Sequence, residues 1–137
     1  MKQLTPNLAV EDVARSVRFY TEILGFEIKM CVDTDKKAIG NILKEGVNYV
    51  WANVMHGDVG IMFQQKINFE SDLGIKANPI GATVSFYIEV EDAETLYATL
   101  KDKTPIHKKL DTTWYGAKEF YICDPDGYIL GFSSMNK

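Results

Sequence analysis

The sequence predicts an α+β fold made of two copies of one βαβββ module, and three observations support it. A short apolar strand that runs into an acidic pair occurs at residues 8–13 and again at 88–93. Each copy is followed by a helical pattern, first at about 13–24 and then at about 93–101. Each helix leads to strand-like segments that end in a hairpin. We expect one domain, 1–137, with module one at 1–66, a polar linker at 67–79 and module two at 80–137.

Local signals define the ends of these elements. Asp12 and Asp92 suit the N-cap position, because an aspartate side chain can accept from the free amides of the first helical turn. Gly25 suits the position that ends the first helix. Gly57-Asp58 favours a two-residue hairpin turn that pairs His56 with Val59. In the second module, Asp124-Pro125-Asp126-Gly127 predicts a turn between the last two strands.

Composition excludes several classes of protein. The chain has 137 residues and a net charge of −4, and its 15 lysines and arginines are scattered. A nucleic-acid surface needs a basic patch, and neither a secretory leader nor an apolar membrane span is visible. Cys31 and Cys123 lie in apolar runs and are expected to be buried free thiols. We therefore expect a cytoplasmic protein with no nucleic-acid or membrane partner.

Strand alternation sorts the side chains onto two faces. One face is uniformly apolar and should pack under the helices. The other combines large apolar side chains, such as Trp51 and Met62, with polar ones, such as Asn53 and Gln64. Such a mixture is typical of a ligand pocket. The alternative is a dry interface, although an interface would not be expected to bring a glutamate and two amides inward.

Three motifs carry a resemblance to a known family. They are Asn7-Leu8-Ala9-Val10-Glu11-Asp12, then Ser16-Val17-Arg18-Phe19-Tyr20, and finally Asp124-Pro125-Asp126-Gly127-Tyr128. In this order, on repeated modules, they resemble the vicinal-oxygen-chelate superfamily of glyoxalases, bleomycin-resistance proteins and extradiol dioxygenases. The resemblance covers nearly the whole chain. It implies two βαβββ modules forming a curved mixed sheet around a cleft, usually in a homodimer.

The resemblance also identifies where metal-dependent members place their ligands. Carried over to this chain, those positions are Thr5, Met62 (or Gln64 if the register slips by two), Ser85 and Gly131. None of Thr5, Met62, Ser85 and Gly131 offers the imidazole, carboxylate or thiolate that a divalent metal prefers. The two histidines, His56 and His107, are not brought together by any sequence pattern. We therefore expect no metal and no other cofactor.

The resulting hypothesis is a metal-independent binding protein of the glyoxalase/bleomycin-resistance type, with an aromatic or cationic small molecule in an aromatic-lined cup. One alternative is an enzyme, either a glyoxalase-like lyase or isomerase or another member of the superfamily. A structural or regulatory dimer without a ligand is a third. Glu89 is a candidate general base or an exposed carboxylate at a strand end. Trp114 is a candidate pocket residue or a plug at the end of the sheet.

The predicted ligand-contacting residues come from both modules. No catalytic residue is assigned. The predicted set is Trp51, Asn53, Met62, Gln64, Ser85, Tyr87, Glu89, Trp114, Phe120 and Gly131.

Overall fold

The repeat in the sequence corresponds to two units in the structure, residues 1–80 and residues 81–137. The computed structural model describes residues 1–37 and 39–135. Residue 38 and residues 136–137 lie outside the described part. Among the helices of that part, none is long and apolar enough to cross a membrane.

The first unit is a five-stranded sheet with helices, and its strand order is β1-β5-β4-β2-β3. Strand β1 runs parallel to β5, and the other neighbours are antiparallel. Its elements are β1 (Asn7–Val10), α1 (Val13–Arg18), a π-helical turn (Phe19–Ile23), β2 (Glu27–Asp33), β3 (Ile39–Gly40), β4 (Tyr49–His56), β5 (Val59–Gln65) and α2 (Lys66–Leu73).

The second unit repeats this plan with four strands in the order β6-β9-β8-β7. Strand β6 runs parallel to β9, as β1 does to β5, and the remaining pairs are antiparallel. Its elements are β6 (Ser85–Glu89), α3 (Ala93–Leu100), β7 (Ile106–Thr112), β8 (Ala117–Cys123) and β9 (Ile129–Met135). The α+β class and the two βαβββ modules are as predicted, and each module forms a mixed sheet of its own.

Both predicted helix caps are confirmed. The Asp12 side chain accepts from the amide of Arg15, and that of Asp92 accepts from the amide of Thr95, each at 3.1 Å. The first helix is less regular than predicted, because its α-helical part ends at Arg18 and a π-helical turn follows. Here the Thr21 hydroxyl donates to the carbonyl oxygen of Val17, four residues earlier, at 2.8 Å, and such a bond back to the helix backbone often bends a helix.

The predicted chain reversals are also confirmed. Gly25 follows the π-helical turn with a φ of 77°, a left-handed conformation that favours glycine. His56 pairs with Val59 across the Gly57-Asp58 turn. In the second unit, the Asp124 carboxylate accepts from the amides of Asp126 and Tyr128, both at 2.9 Å. This side chain therefore fixes the turn that joins β8 to β9.

The segment 67–79 differs from its prediction, because its first half, 67–73, belongs to helix α2. The helix was missed because it has no apolar stripe and none of its residues is buried. Gly74 ends it in the left-handed conformation, with a φ of 65°. The helix matters for the site because two of its polar side chains contact strand β5.

In each unit the core lies between the sheet and one helix, α1 in the first unit and α3 in the second. In the first unit, Val10, Val17 and Phe63 are fully buried, and Tyr20 packs against Phe63 with ring centroids 4.8 Å apart. In the second, the fully buried side chains include Leu100, Ile122 and Leu130. These residues occupy the helix side of each sheet, which leaves the opposite face to carry the candidate site.

Candidate functional site

In the first unit, strand register places four predicted site residues on one face of the sheet. Trp51 lies opposite Gln64, and Asn53 lies opposite Met62. Strand β1 adds Asn7, which lies opposite Met62 on its other side. We call Asn7, Trp51, Asn53, Met62 and Gln64 the amide face. Their shared side of the sheet follows from the two-residue period of a strand, which the sequence displays directly.

Gln64 is the best-connected member of the amide face, and only 7% of it is exposed. Its Oε1 accepts from the Nδ2 of Asn7 at 2.9 Å. Its Nε2 donates to Asn68 Oδ1 at 2.5 Å and to Asp72 Oδ2 at 2.7 Å, both on helix α2. Gln64 therefore joins strand β1 to helix α2, and its polar atoms are occupied by protein groups.

Two other polar atoms of the amide face have no partner among the described residues. They are the side-chain oxygens of Asn7 and Asn53, which are buried. A buried acceptor without a partner costs free energy, and most such groups in folded proteins are paired. The amide face therefore has unused capacity for a hydrogen-bond donor.

In the second unit, register brings Tyr87 beside Gly131 and Gly131 beside Tyr121. The adjacent row places Ser133 between Glu89 and Glu119. The hydroxyl of Tyr115, in the turn that joins β7 to β8, donates to the carboxylate of Glu119. We call Tyr87, Tyr115, Glu119, Tyr121 and Ser133 the tyrosine face. Hydrogen bonds among side chains connect all five residues through Glu119.

Glu119 is the centre of the tyrosine face and is only 7% exposed. Its Oε2 accepts from the hydroxyls of Tyr87 and Tyr115, both at 2.5 Å, and from Ser133 at 3.2 Å. Its Oε1 lies 3.4 Å from the hydroxyl of Tyr121. Short hydroxyl–carboxylate bonds are charge-assisted and stronger than neutral ones. The arrangement therefore stabilises an ionised carboxylate with hydroxyl groups.

The hydrogen bonds set the protonation states of this cluster. Burial of the carboxyl raises its pKa, but the hydroxyl bonds from Tyr115, Tyr87, Ser133 and Tyr121 outweigh burial and hold the pKa of Glu119 below its ordinary value of 4.5. The pKa of Tyr115 is raised to about 12 by its hydrogen bond to Glu119, and further by burial and by the charge of Glu119. Burial, followed by the same charge, raises the pKa of Tyr121. At neutral pH the Glu119 carboxylate is therefore ionised, and the phenols of Tyr115 and Tyr121 are neutral.

We expect Glu119→Gln to shift the titration of Tyr115 from about 12 toward its ordinary pKa of 10, because the carboxylate that disfavours the phenolate is gone. The measurement is phenolate absorbance against pH. Glu89→Gln, on the same face of the sheet, is the control and should leave the titration unchanged. An unaltered tyrosine titration in Glu119→Gln would contradict the hydrogen-bonded cluster.

The same variant should change the acid stability of the protein. Because the folded-state pKa of Glu119 is depressed, its ionisation contributes stability that is complete above about pH 4.5 and is lost as the pH falls below it. Glu119→Gln should therefore be less stable than the parent at neutral pH, and the difference should shrink in acid.

Two predicted residues of the second unit are placed differently from the rest. Phe120 lies on the opposite, helix side of the sheet and has no exposed surface. Its ring stacks on Tyr97 of α3 and packs against Phe132, so the prediction that it contacts ligand is corrected by its position in the core. Trp114 lies in the β7–β8 turn and is 94% exposed, with its edge against Tyr115. Trp114 is thus not a plug buried in its own unit.

Ser85 and Glu89 lie at the two ends of β6, on the Tyr87 side of the strand, and both are exposed. The buried carboxylate of this face is Glu119, which the sequence prediction missed along with Tyr115 and Tyr121. Alternation within β8 carries the signal that could have found it. Phe120 and Ile122 are apolar and belong under the helix, so Glu119 and Tyr121 must point the other way.

The residues at the metal-ligand positions do not fit a metal. Thr5 precedes strand β1, and Met62 offers only a thioether. In the second unit, Ser85 is exposed, and Gly131 has no side chain. A Cβ at Gly131 would lie 2.5 Å from Cε1 of Tyr121, so a tyrosine ring fills the space above that position. Within residues 1–37 and 39–135, no group of three or more His, Cys, Asp or Glu side chains could hold a metal ion.

Comparison with solved structures supports the fold. A glyoxalase-related enzyme from Fulvimarina pelagi matches 98% of this chain and 88% of its own, with a TM-score of 0.73 and 17% identity. A superfamily member from Sphaerobacter thermophilus matches 98% of this chain and 97% of its own, with a TM-score of 0.72 and 17% identity. At these identities the likeness concerns the fold alone.

Comparison with curated proteins and family descriptions goes further. The bleomycin resistance protein of Geobacillus stearothermophilus is 26% identical over 139 residues, which cover 100% of this chain and 99% of the relative. The bleomycin resistance protein of Staphylococcus aureus matches to the same extent. The family model of the Glyoxalase/Bleomycin resistance protein/Dioxygenase superfamily matches residues 2–132 of this chain. This chain therefore belongs to the Glyoxalase/Bleomycin resistance protein/Dioxygenase superfamily.

Proposed function

We propose that this chain is a metal-independent small-molecule binding protein of the bleomycin-resistance type. The observation that carries the proposal is the tyrosine face. There, two partly exposed tyrosine rings are fixed by one buried carboxylate, and an exposed tryptophan lies beside them. Exposed aromatic side chains held in place are a common means of binding flat or cationic ligands.

The amide face of the first unit supports the same proposal. Trp51 and Met62 offer apolar surface, and the side-chain oxygens of Asn7 and Asn53 are buried acceptors without a partner among the described residues. A few polar groups on an apolar surface fix the orientation of a ligand. The name of the curated relatives, bleomycin resistance protein, supports a drug-like ligand and makes bleomycin the first probe.

The remaining parts of the proposal concern cellular location, oligomeric state and independence from metal. Both cysteines are free thiols, and Cys31 is buried as expected, whereas Cys123 is only partly buried. Unpaired thiols are consistent with a cytoplasmic location. A homodimer stays a prediction, and sedimentation velocity tests it. Elemental analysis of protein purified without chelators tests independence from metal, and one metal ion per chain would contradict it.

We expect Trp51→Ala to weaken binding of bleomycin, or of a positive compound from a panel of aromatic drugs, by about tenfold or more. A buried aromatic anchor commonly contributes this much to affinity. The measurement is isothermal titration calorimetry. Ile42→Ala, which removes an exposed apolar side chain in a loop, is the control and should bind as the parent does.

Tryptophan fluorescence assigns the contact. The chain has two tryptophans, so the fluorescence of Trp51→Phe comes from Trp114 alone, and that of Trp114→Phe comes from Trp51 alone. Quenching that persists in Trp114→Phe and disappears in Trp51→Phe identifies Trp51 as the contact. Unchanged affinity in Trp51→Ala would show that the amide face does not bind the ligand, and absence of binding across the whole panel would overturn the proposed function.

A further inference from the structure

Glu119 carries a buried negative charge without a cationic partner. Among the residues that the structure describes, no lysine, arginine or histidine pairs with its carboxylate, and all its contacts are hydroxyl groups. Lys118, its neighbour in the chain, is 3.9 Å from Glu94 instead. A buried charge normally has a counter-charge, because hydroxyl groups compensate lost hydration without neutralising it.

Two tyrosine rings stand between this charge and solvent. Tyr87 and Tyr115 are 57% and 44% exposed, while their hydroxyls are bound to the same Oε2 atom of Glu119. A phenol that donates to a carboxylate becomes more electron-rich, since hydrogen bonds in series polarise one another. Its face then attracts cations more strongly. Trp114 lies against Tyr115 at right angles, with 5.2 Å between ring centroids, and adds a third aromatic surface.

The other charged groups around the tyrosine face leave it acidic. Register places Glu89 beside Ser133 and Asp111 beside Glu119. The one basic neighbour by register is Lys108, which pairs with Tyr121 at the edge strand. Register thus places the carboxylates of Glu89, Asp111 and Glu119 around the tyrosine face, against the amine of Lys108. This balance favours a cation over a neutral or anionic ligand.

The occupied oxygens of Glu119 narrow the kind of cation. Three hydroxyls bind Oε2 and a fourth approaches Oε1, and the carboxylate is almost entirely covered. A primary ammonium or a guanidinium needs exposed acceptors for its N–H groups, and behind the two rings Glu119 offers none. A quaternary ammonium needs none, because its charge is spread over methyl groups that pack on aromatic faces.

We propose that the tyrosine face recognises a quaternary ammonium group, with the rings of Tyr87, Tyr115 and Trp114 as its contacts and Glu119 as the charge behind them. This inference deepens the proposed function and rests on it, because it names the ligand class of one part of the binding surface.

The test uses choline and its neutral isostere, 3,3-dimethylbutan-1-ol, in NMR titrations of the full chain. Both probes have the same shape, so their difference isolates the charge. We expect choline to bind about tenfold more tightly than the isostere. Glu119→Gln keeps the shape of the side chain and should reduce that preference to less than about threefold, while Glu89→Gln should retain most of it.

A second variant keeps the test decisive if Glu119→Gln fails to fold. Tyr87 is largely exposed, so Tyr87→Leu should fold and should weaken choline binding by about threefold or more, with little effect on the isostere. Equal binding of the two probes, or no binding of choline by the parent protein, would overturn the inference. The bleomycin and drug panel tests the proposed function separately. If a neutral drug binds and choline does not, only the inference is contradicted.

Discussion

Phe120→Ala is expected to lower the free energy of unfolding by about 3–5 kcal/mol, the usual cost of removing a buried aromatic ring. Phe120 has no exposed surface. Its ring stacks on Tyr97, with 5.3 Å between centroids and 22° between planes, and packs against Phe132 at 5.2 Å. The variant therefore leaves a cavity between strand β8 and helix α3. Urea denaturation followed by circular dichroism measures the effect.

Tyr121→Ala is the matched control for Phe120→Ala. The two residues are adjacent in β8, so they point to opposite faces of the same sheet. Tyr121 lies on the tyrosine face and is partly exposed, and its removal should cost far less stability than the loss of Phe120. If Phe120→Ala lost little stability but bound ligand poorly, the core position of Phe120 would be contradicted and its predicted ligand contact supported.

The incorrect placement of Phe120 shows how much about side-chain direction can be predicted from strand alternation. The two-residue period correctly separated Trp51 and Asn53 from the helix side of β4, because turn geometry fixed the register of that hairpin. The same argument applied to β8 would have placed Phe120 under the helix. The turn at Asp124–Gly127 was predicted correctly, so the register of β8 against β9 was within reach of the sequence.

The Glu119 cluster was less accessible to sequence reasoning. Parity along β8 indicates the face on which Glu119 lies, but not that the hydroxyls of three tyrosines reach it. Tyr115 comes from a turn, where no period predicts the direction of a side chain. Tyr87 and Ser133 come from β6 and β9, which are distant in sequence from β8. The meeting of these groups depends on the order of the strands, which the repeat alone does not specify.

Helix α2 illustrates a different limit. The sequence Lys66–Leu73 has no apolar stripe, so the signal that identified α1 and α3 is absent. Its position depends on polar contacts, since Asn68 and Asp72 both accept from Gln64. Gln64 was predicted as a ligand contact because a polar residue on an apolar face suggested a binding role. The structure shows that its hydrogen bonds hold the helix against the sheet.

Gln64→Glu should therefore destabilise the first unit by about 3 kcal/mol at neutral pH. The substitution replaces the donating Nε2 atom, which lies 2.7 Å from Oδ2 of Asp72, with a carboxylate oxygen. Two carboxylates this close repel each other. The repulsion favours the protonated form of the introduced glutamate and so raises its pKa. The Asn7 side chain can still donate to the new residue, so the loss comes from the contacts with helix α2.

Acidification separates this repulsion from simple loss of hydrogen bonds. A carboxyl with a raised folded-state pKa destabilises the protein above that pKa, so Gln64→Glu should regain stability relative to the parent as the pH falls through it. Gln64→Met removes the same hydrogen bonds without adding charge, and its deficit should not show that recovery. Urea denaturation of both variants, at neutral pH and in mild acid, measures the difference. If Gln64→Glu were as stable as the parent at neutral pH, the contact between Gln64 and Asp72 would be wrong, and Gln64 would again be available to a ligand.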